Sequence, residues 1–269
     1  MVNQDILISG GGVAGAALAY WLRRYSFRPT VVERAPAPRS GGQVVDIRGS
    51  AREVIDRMGL APQIKEASLS GRGMAFIDET GKHMASLPTD VFGPSGGPVA
   101  EMALRRTTLA RILYETVRDD VEFVFDESIS AITQDSDGVQ IDFESGGARR
   151  FDLVIGADGV HSNVRNLTFG PDDLYVRDLD SFIALCTVPT DVDLDGWQLM
   201  YTVPGRYGRS GKTAALRPLA EPGMAMAGFF FRARGLEWDR RDVAEQKRAR
   251  PGSAASAPSG CRWASSRRT

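Results

Sequence analysis

Gly10, Gly12 and Gly15 stand at the spacing G-x-G-x-x-G between an apolar run at residues 5–9 and an Ala/Leu-rich stretch at residues 13–25. A strand that turns tightly into a helix leaves free N–H groups and the positive end of the helix dipole at one point, where a diphosphate can sit. Gly10 permits the turn. Gly12 lets the backbone approach a pyrophosphate, with Val13 and Ala14 opening the helix beside it, and Gly15 allows close helix–strand packing. Residues 29–33 read as a second strand ending in Glu33, 18 residues after Gly15. A carboxylate there accepts both hydroxyls of an adenosine ribose and repels a 2′-phosphate, so this site favours FAD or NAD over NADP.

A second constellation lies at residues 152–165, Asp-Leu-Val-Ile-Gly-Ala-Asp-Gly-Val-His-Ser-Asn-Val-Arg. An apolar strand again ends in a Gly/Asp loop, which carries Asp158, and Ser162 is placed to cap the next segment. Strand ends of this kind bind ligands in open α/β sheets, although by residue type alone the loop is also a plain turn. His161 reads as a loop or capping residue rather than a general base.

The elements that position these residues are read from apolar period and turn chemistry. The strand–helix–strand unit at residues 5–33 implies a parallel sheet. A helix is expected at residues 50–58, capped by Ser50 and stopped at Gly59. Residues 74–78 and 82–87 form a hairpin, and residues 107–118 a helix. Short strands are expected at 121–125, 129–134, 139–143 and 151–155. Beyond Gly159, alternating runs at 182–188, 198–203, 213–217 and 224–231 read as a mainly antiparallel sheet. The expected fold class is α/β: a Rossmann-like domain at residues 1–72 and 98–172, and a second β domain at 73–97 and 173–246. A helix begins at 236–247. Residues 247–269 hold six Lys/Arg and no acid, and are expected to be disordered.

Composition sets the outer limits. The net charge of -1 gives no electrostatic case for nucleic acid or an anionic membrane. Two cysteines, Cys186 and Cys261, and two histidines, His83 and His161, supply neither a disulfide framework nor a zinc site. No run approaches the roughly 18 apolar residues of a membrane helix, and the N-terminus has no signal-peptide pattern. A reducing cytoplasm is the expected location. Oligomeric state is left open.

The paired motifs, Gly10–Gly15 and Gly156-Ala157-Asp158-Gly159 with Ser162 and Arg165, resemble those of the class A flavoprotein aromatic hydroxylases. That superfamily includes para-hydroxybenzoate hydroxylase, and the tetracycline-inactivating monooxygenases look most similar. Residues 32–34, 40–48 and 104–109 carry the same likeness, which spans about residues 3 to 245. The resemblance implies an FAD-dependent monooxygenase that uses NADPH or NADH and O2 to hydroxylate a small aromatic or polyketide-like molecule. It implies that Gly10, Gly12 and Gly15 hold the FAD pyrophosphate, Glu33 the ribose, and Arg34 the adenine side. Arg39 and Asp46 would lie near the isoalloxazine and ribityl chain. Arg106 would contact FAD from its helix start, and Asp158 would serve FAD and the nicotinamide cofactor.

The family's third motif, a Gly-Asp pair, has no counterpart in this sequence. A C-terminally truncated reading frame is therefore expected. Two alternatives to the monooxygenase stay open: another flavoenzyme on the same fold, and a remnant without activity. Substrate would lie against the second sheet, with Phe182, Met200, Met224, Met226 and the run 229–231 as candidate lining; sheet core is the plainer reading for most of them.

Overall fold

The computed structural model describes residues 4–38, 42–69, 71–89, 91–93, 99–205 and 211–233. Arg39, the expected helix at 236–247 and the expected disorder of 247–269 lie outside the described residues. The chain divides into two compact units, Met1–Val45 with Leu104–Arg177, and Asp46–Ala103 with Asp178–Thr269.

The first unit opens with β1 (Asp5–Ser9), α1 (Val13–Arg24) and β2 (Arg28–Glu33), as the glycine spacing requires. After β3 (Val44–Asp46) the chain enters the second unit with α2 (Ser50–Arg57), α3 (Ala61–Glu66), β4 (Gly73–Ile77) and β5 (His83–Pro88). It comes back through β6 (Ala103–Arg105) and α4 (Arg106–Val117). Then come β7 (Glu122–Phe125), β8 (Ile129–Asp135), β9 (Gly138–Phe143), β10 (Ala148–Phe151), β11 (Leu153–Gly156) and α5 (Asn163–Thr168). A 3-10 turn at Asp172–Leu174 precedes β12 (Ser181–Pro189), β13 (Trp197–Val203), β14 (Lys212–Pro218) and β15 (Met224–Arg232).

A four-stranded parallel sheet, ordered β11-β1-β2-β7, is the frame of the first unit. Its strands are apolar on both faces because both faces are covered. Ile6, Ile8 and Val31 pack toward Ala19 of α1 and Val117 of α4. Leu7 and Val32 point the other way, onto Ile129, Ile141 and Phe151 of the antiparallel sheet β10-β9-β8. The second unit holds a six-stranded sheet ordered β12-β15-β14-β13-β4-β5. It is mainly antiparallel, but β13 runs parallel to β4. Ala75, Leu199 and Ala225 on one face form a core with Leu194 from the β12–β13 connection.

Three expectations change in detail. Gly49, with φ of +51°, is the N-cap of α2, not Ser50. The run 151–155 is two strands in different sheets, broken at Asp152, whose carboxylate accepts the N–H groups of Gln4 and Asp5 at 2.8 and 2.9 Å. Residues 46–72 group with the second unit, tied there by Ile47 N–H to the Met102 carbonyl (2.8 Å) and Leu69 N–H to the Ala103 carbonyl (2.7 Å).

Candidate functional site

All the carboxyl ends of the parallel sheet contribute to one cavity of about 430 Å³. Its walls come entirely from the first unit: residues 9–14, 32–34, Ala37 and Pro38, one face of α4, residues 125 and 127–128, and the loop around Asp158.

The glycines explain how the backbone reaches this space. Gly10 has φ of +105°, and a Cβ there would lie 2.7 Å from the Ala157 carbonyl oxygen. This is where the two motifs touch, and Ala157 N–H donates to the Ser9 carbonyl at 2.8 Å. A Cβ on Gly15 would lie 1.8 Å from the Gly10 carbonyl oxygen. The third glycine thus packs the helix against the turn itself, more tightly than against the strand. Around Gly12 the reverse holds: a Cβ would meet no atom of the described residues within 4 Å. Gly12 is the N-cap of α1, no side chain among the described residues caps that end, and the first turn has no acid. The first-turn N–H groups of Val13 and Ala14 therefore face open space with the dipole behind them, as an anion site requires.

Glu33 ends β2 with both carboxylate oxygens engaged by main chain. Oε2 accepts Gly11 N–H at 2.8 Å and Oε1 accepts Ala35 N–H at 2.9 Å. The side chain ties the glycine turn to the segment after β2. Arg34 is exposed on the same wall.

Asp158 is held from three sides. Its Oδ2 accepts from Ser9 Oγ (3.3 Å), Asn163 N–H (2.8 Å) and Val164 N–H (3.1 Å), so it anchors the start of α5 beside the true N-cap, Ser162. Its Oδ1 is buried and has no hydrogen-bond partner among the described residues. Asp158 is one of the residues that line the cavity. Next to it, His161 Nδ1 lies 2.8 Å from Asp172 Oδ2, and Arg165 donates to the other oxygen of Asp172 and to the Val160 carbonyl. The His161 and Arg165 hydrogen bonds hold the Asp172 carboxyl below the ordinary carboxylate range. His161 thus braces the loop and also lines the cavity.

Arg106 opens α4, and its N–H donates to the Gln43 carbonyl at 2.9 Å. Arg106, Ala110 and Tyr114 recur every four residues, so one stripe of α4 lines the cavity with Thr107. Sequence reading singled out Arg106 but missed Tyr114, Phe125, Ser9 and Asn163. The i, i+4, i+8 stripe was the available signal for Tyr114. The others depend on which strands lie side by side.

Of the expected site residues, the structure brings together Gly10, Gly12, Val13, Ala14, Glu33, Arg34, Arg106 and Asp158 on this cavity, with Gly15 packed directly behind it. Asp46 is not among the residues that line this cavity. Asp46 belongs to the second unit, where Arg48 Nη2 (2.5 Å) and Arg217 Nη2 (3.2 Å) donate to its two oxygens. The expected substrate lining also divides. Pairing in register puts Phe182, Phe229 and Phe231 on the face that carries Ala225, and Met200, Met224, Met226 and Phe230 on the opposite face. They do not form one lining.

The protein-family model described as the FAD binding domain matches residues 3–170. An uncharacterized protein of Mycobacterium tuberculosis (strain H37Rv) is 42% identical over 223 residues, covering 81% of this chain and 59% of that protein. A flavin-dependent monooxygenase of Legionella longbeachae is 34% identical over 245 residues, covering 91% of this chain and 61% of that protein. Among solved structures, the tetracycline destructase Tet(55) is similar with a TM-score of 0.77 and 30% identity, over 91% of this chain and 60% of that one. The chain spans about three fifths of the length of the curated relatives it matches.

Proposed function

The chain belongs to the FAD-binding domain family of the class A flavin-dependent monooxygenases, and from that premise we propose that it binds FAD in the first-unit cavity and serves NAD(P)H-dependent hydroxylation of a small aromatic or polyketide-like molecule. The observation that carries this reading is the N-terminus of α1, without a side-chain cap or a first-turn acid among the described residues, which opens into a cavity bounded by Glu33 on one side and Asp158 on the other. Those features fit a dinucleotide that has a diphosphate in the middle and hydroxyls on both flanks.

FAD, when bound, supplies the electron transfer and oxygen activation of such a reaction. This chain's residues bind and orient. The first-turn N–H groups of α1 would hold the diphosphate, with Arg106 adding positive charge from the facing helix. Glu33 would accept the ribose hydroxyls while fixing the glycine turn. Asp158 would accept a hydroxyl on the opposite flank, its carboxylate fixed by three donors. The aromatic substrate class is supported by the monooxygenases and tetracycline destructases among the similar proteins.

The test is the visible spectrum of the purified protein after FAD is added and the mixture desalted. The expected result is a retained flavin spectrum, together with NADPH oxidation that rises with an aromatic substrate. Retention without that rise would restrict the reading to FAD binding, and no retention would sink it.

A further inference from the structure

We propose that β12, an open edge of the six-stranded sheet, pairs antiparallel with β12 of a second copy of this chain, joining the two sheets across a two-fold axis at Leu185. β12 belongs to the second unit, so this pairing is independent of FAD binding in the first.

The sheet has two edges among the described residues, β12 and β5, and they differ. β5 is six residues long, and its pairing with β4 shifts register between Phe76 and Ile77. Shortness and a bulge are ordinary means of keeping an edge from further pairing. β12 has neither. It runs nine residues, Ser181–Pro189, in unbroken register with β15. Between its ends stand Phe182, Ile183, Ala184, Leu185, Cys186, Thr187 and Val188, with no charge and no proline among them. Ile183 is 62% exposed and Leu185 42% exposed. No strand among the described residues pairs with the outer side of β12. Its outward main-chain N–H and C=O groups are therefore a template for a further strand.

The occupant follows from what β12 can face. A strand that extends this sheet must set uncharged residues opposite uncharged ones along the whole edge, and β12 meets that condition with itself. Centred on Leu185, an antiparallel pair sets Phe182 opposite the partner's Val188, Ile183 opposite the partner's Thr187, Ala184 opposite the partner's Cys186, and Leu185 opposite the partner's Leu185. Phe182, Ala184, Cys186 and Val188 share the face that carries Ala225, and Ile183, Leu185 and Thr187 share the other, so each face continues across the junction. Slips of two residues, the smallest that keep the faces matched, are worse in both directions. One sets Asp180 opposite the partner's Val188. The other brings Pro189, which has no N–H, inside the ladder opposite the partner's Ile183. The strand thus specifies both its partner and its register.

The experiment is sedimentation velocity of the whole chain over a concentration series under reducing conditions, with wild type and Leu185→Lys, followed by oxidation of cysteine variants built on Cys186→Ser and Cys261→Ser. Wild type should move from monomer to dimer as concentration rises. Leu185→Lys sets two like charges against each other on the axis and should remove the dimer. Leu185→Cys in the serine background should form an intermolecular disulfide, because directly opposed residues have Cα atoms about 4.5–5.5 Å apart, within disulfide reach. Ile183→Cys in the same background should not, because the two copies of that position lie four residues apart along the ladder, roughly 13 Å. A monomer at every concentration overturns the proposal and leaves the edge to a strand of another polypeptide. A dimer that persists in Leu185→Lys overturns it, since the interface is then elsewhere. Cross-linking of Ile183→Cys as readily as Leu185→Cys overturns it too, since the copies then meet without a fixed register. Should Leu185→Lys melt below wild type, the two cysteine variants decide.

Discussion

In the first unit four parallel strands end at one edge, and the glycine turn, Glu33 and Asp158 reach the cavity as main chain or as side chains held by main chain. In the second unit six strands present faces. One is closed by Leu194 and its neighbours, and the other carries Met200, Met226 and Arg217. The first arrangement writes its chemistry into glycine spacing, because only glycine lets the backbone itself become the binding surface. The second writes it into side chains that alternate along each strand, and such a face can change composition without changing the fold. This is why the cofactor is legible in this chain and the substrate is not.

The sharpest way to break the contrast is to add single methyl groups to the glycine turn. Gly15→Ala puts a Cβ into the Gly10 carbonyl, and Gly10→Ala meets both a positive φ and the Ala157 carbonyl. Each is expected to cost about 3 kcal/mol or more in urea denaturation, with flavin retention lost. Gly12→Ala should separate folding from binding. Its Cβ enters open space, so stability should drop by about 1 kcal/mol or less, while flavin retention after desalting collapses. A Gly12→Ala protein that keeps flavin like wild type would mean that the ligand does not approach α1 there.

Asp158→Ala comes next. It removes three hydrogen bonds and the anchor of α5, for an expected loss of about 1–3 kcal/mol. Asp158→Asn keeps an oxygen acceptor and can retain much of that anchoring. If the carboxylate serves the ligand as proposed, the Asn variant will still bind FAD more weakly in a spectral titration. Equal affinity would assign Asp158 to the fold alone.

The same division separates the residues legible in the sequence from those that only the fold reveals. The glycine turn, Glu33 and the Asp158 loop were legible because their chemistry is local and each sits at a strand end marked by Gly or Asp. Tyr114 and Phe125 were not, because nothing in the sequence says that β7 lies beside β2. Asp152 was hidden inside an apolar run, and only pairing in register shows that it breaks the run to bind Gln4 and Asp5. Phe182 and Met200 were grouped by type, yet register sends them to opposite faces. Ser50 has the chemistry of a cap, but it is the first residue of the helix, and the N-cap is Gly49 with its positive φ.

Asp46 tests which region a motif residue serves. The family resemblance implies a place near the flavin, and in the structure its two oxygens accept from Arg48 and Arg217. Asp46→Ala is expected to lower stability by about 1 kcal/mol, since the pair is only partly shielded from water. Flavin retention should stay unchanged. Loss of retention without loss of stability would return Asp46 to the cofactor.

The smallest expected effect is on acid stability, and it separates the two ends of the parallel sheet. At the end away from the cavity, Arg149 donates to both oxygens of Glu122 at 3.0 and 2.9 Å, and Thr30 adds a third bond at 3.0 Å. The Arg149 hydrogen bonds, aided by Thr30, hold the Glu122 carboxyl below its ordinary value of 4.5 against the opposing effect of burial. A carboxyl with a depressed native pKa stabilises fully above its unfolded value and loses that contribution as pH falls through the native value. The pair is half exposed, so the contribution should be no more than about 1 kcal/mol and should shrink with salt. Urea midpoints measured from neutral pH down to pH 3 should therefore fall less steeply in Arg149→Gln than in wild type. FAD affinity at neutral pH should be the same in both, because Glu122 pairs with Thr30 at the start of the strands while the cavity is at Glu33 and Phe125. A variant that loses flavin as well as acid sensitivity would show that the two ends of the sheet are coupled, and the separation of stability from binding drawn from the glycines would fail with it.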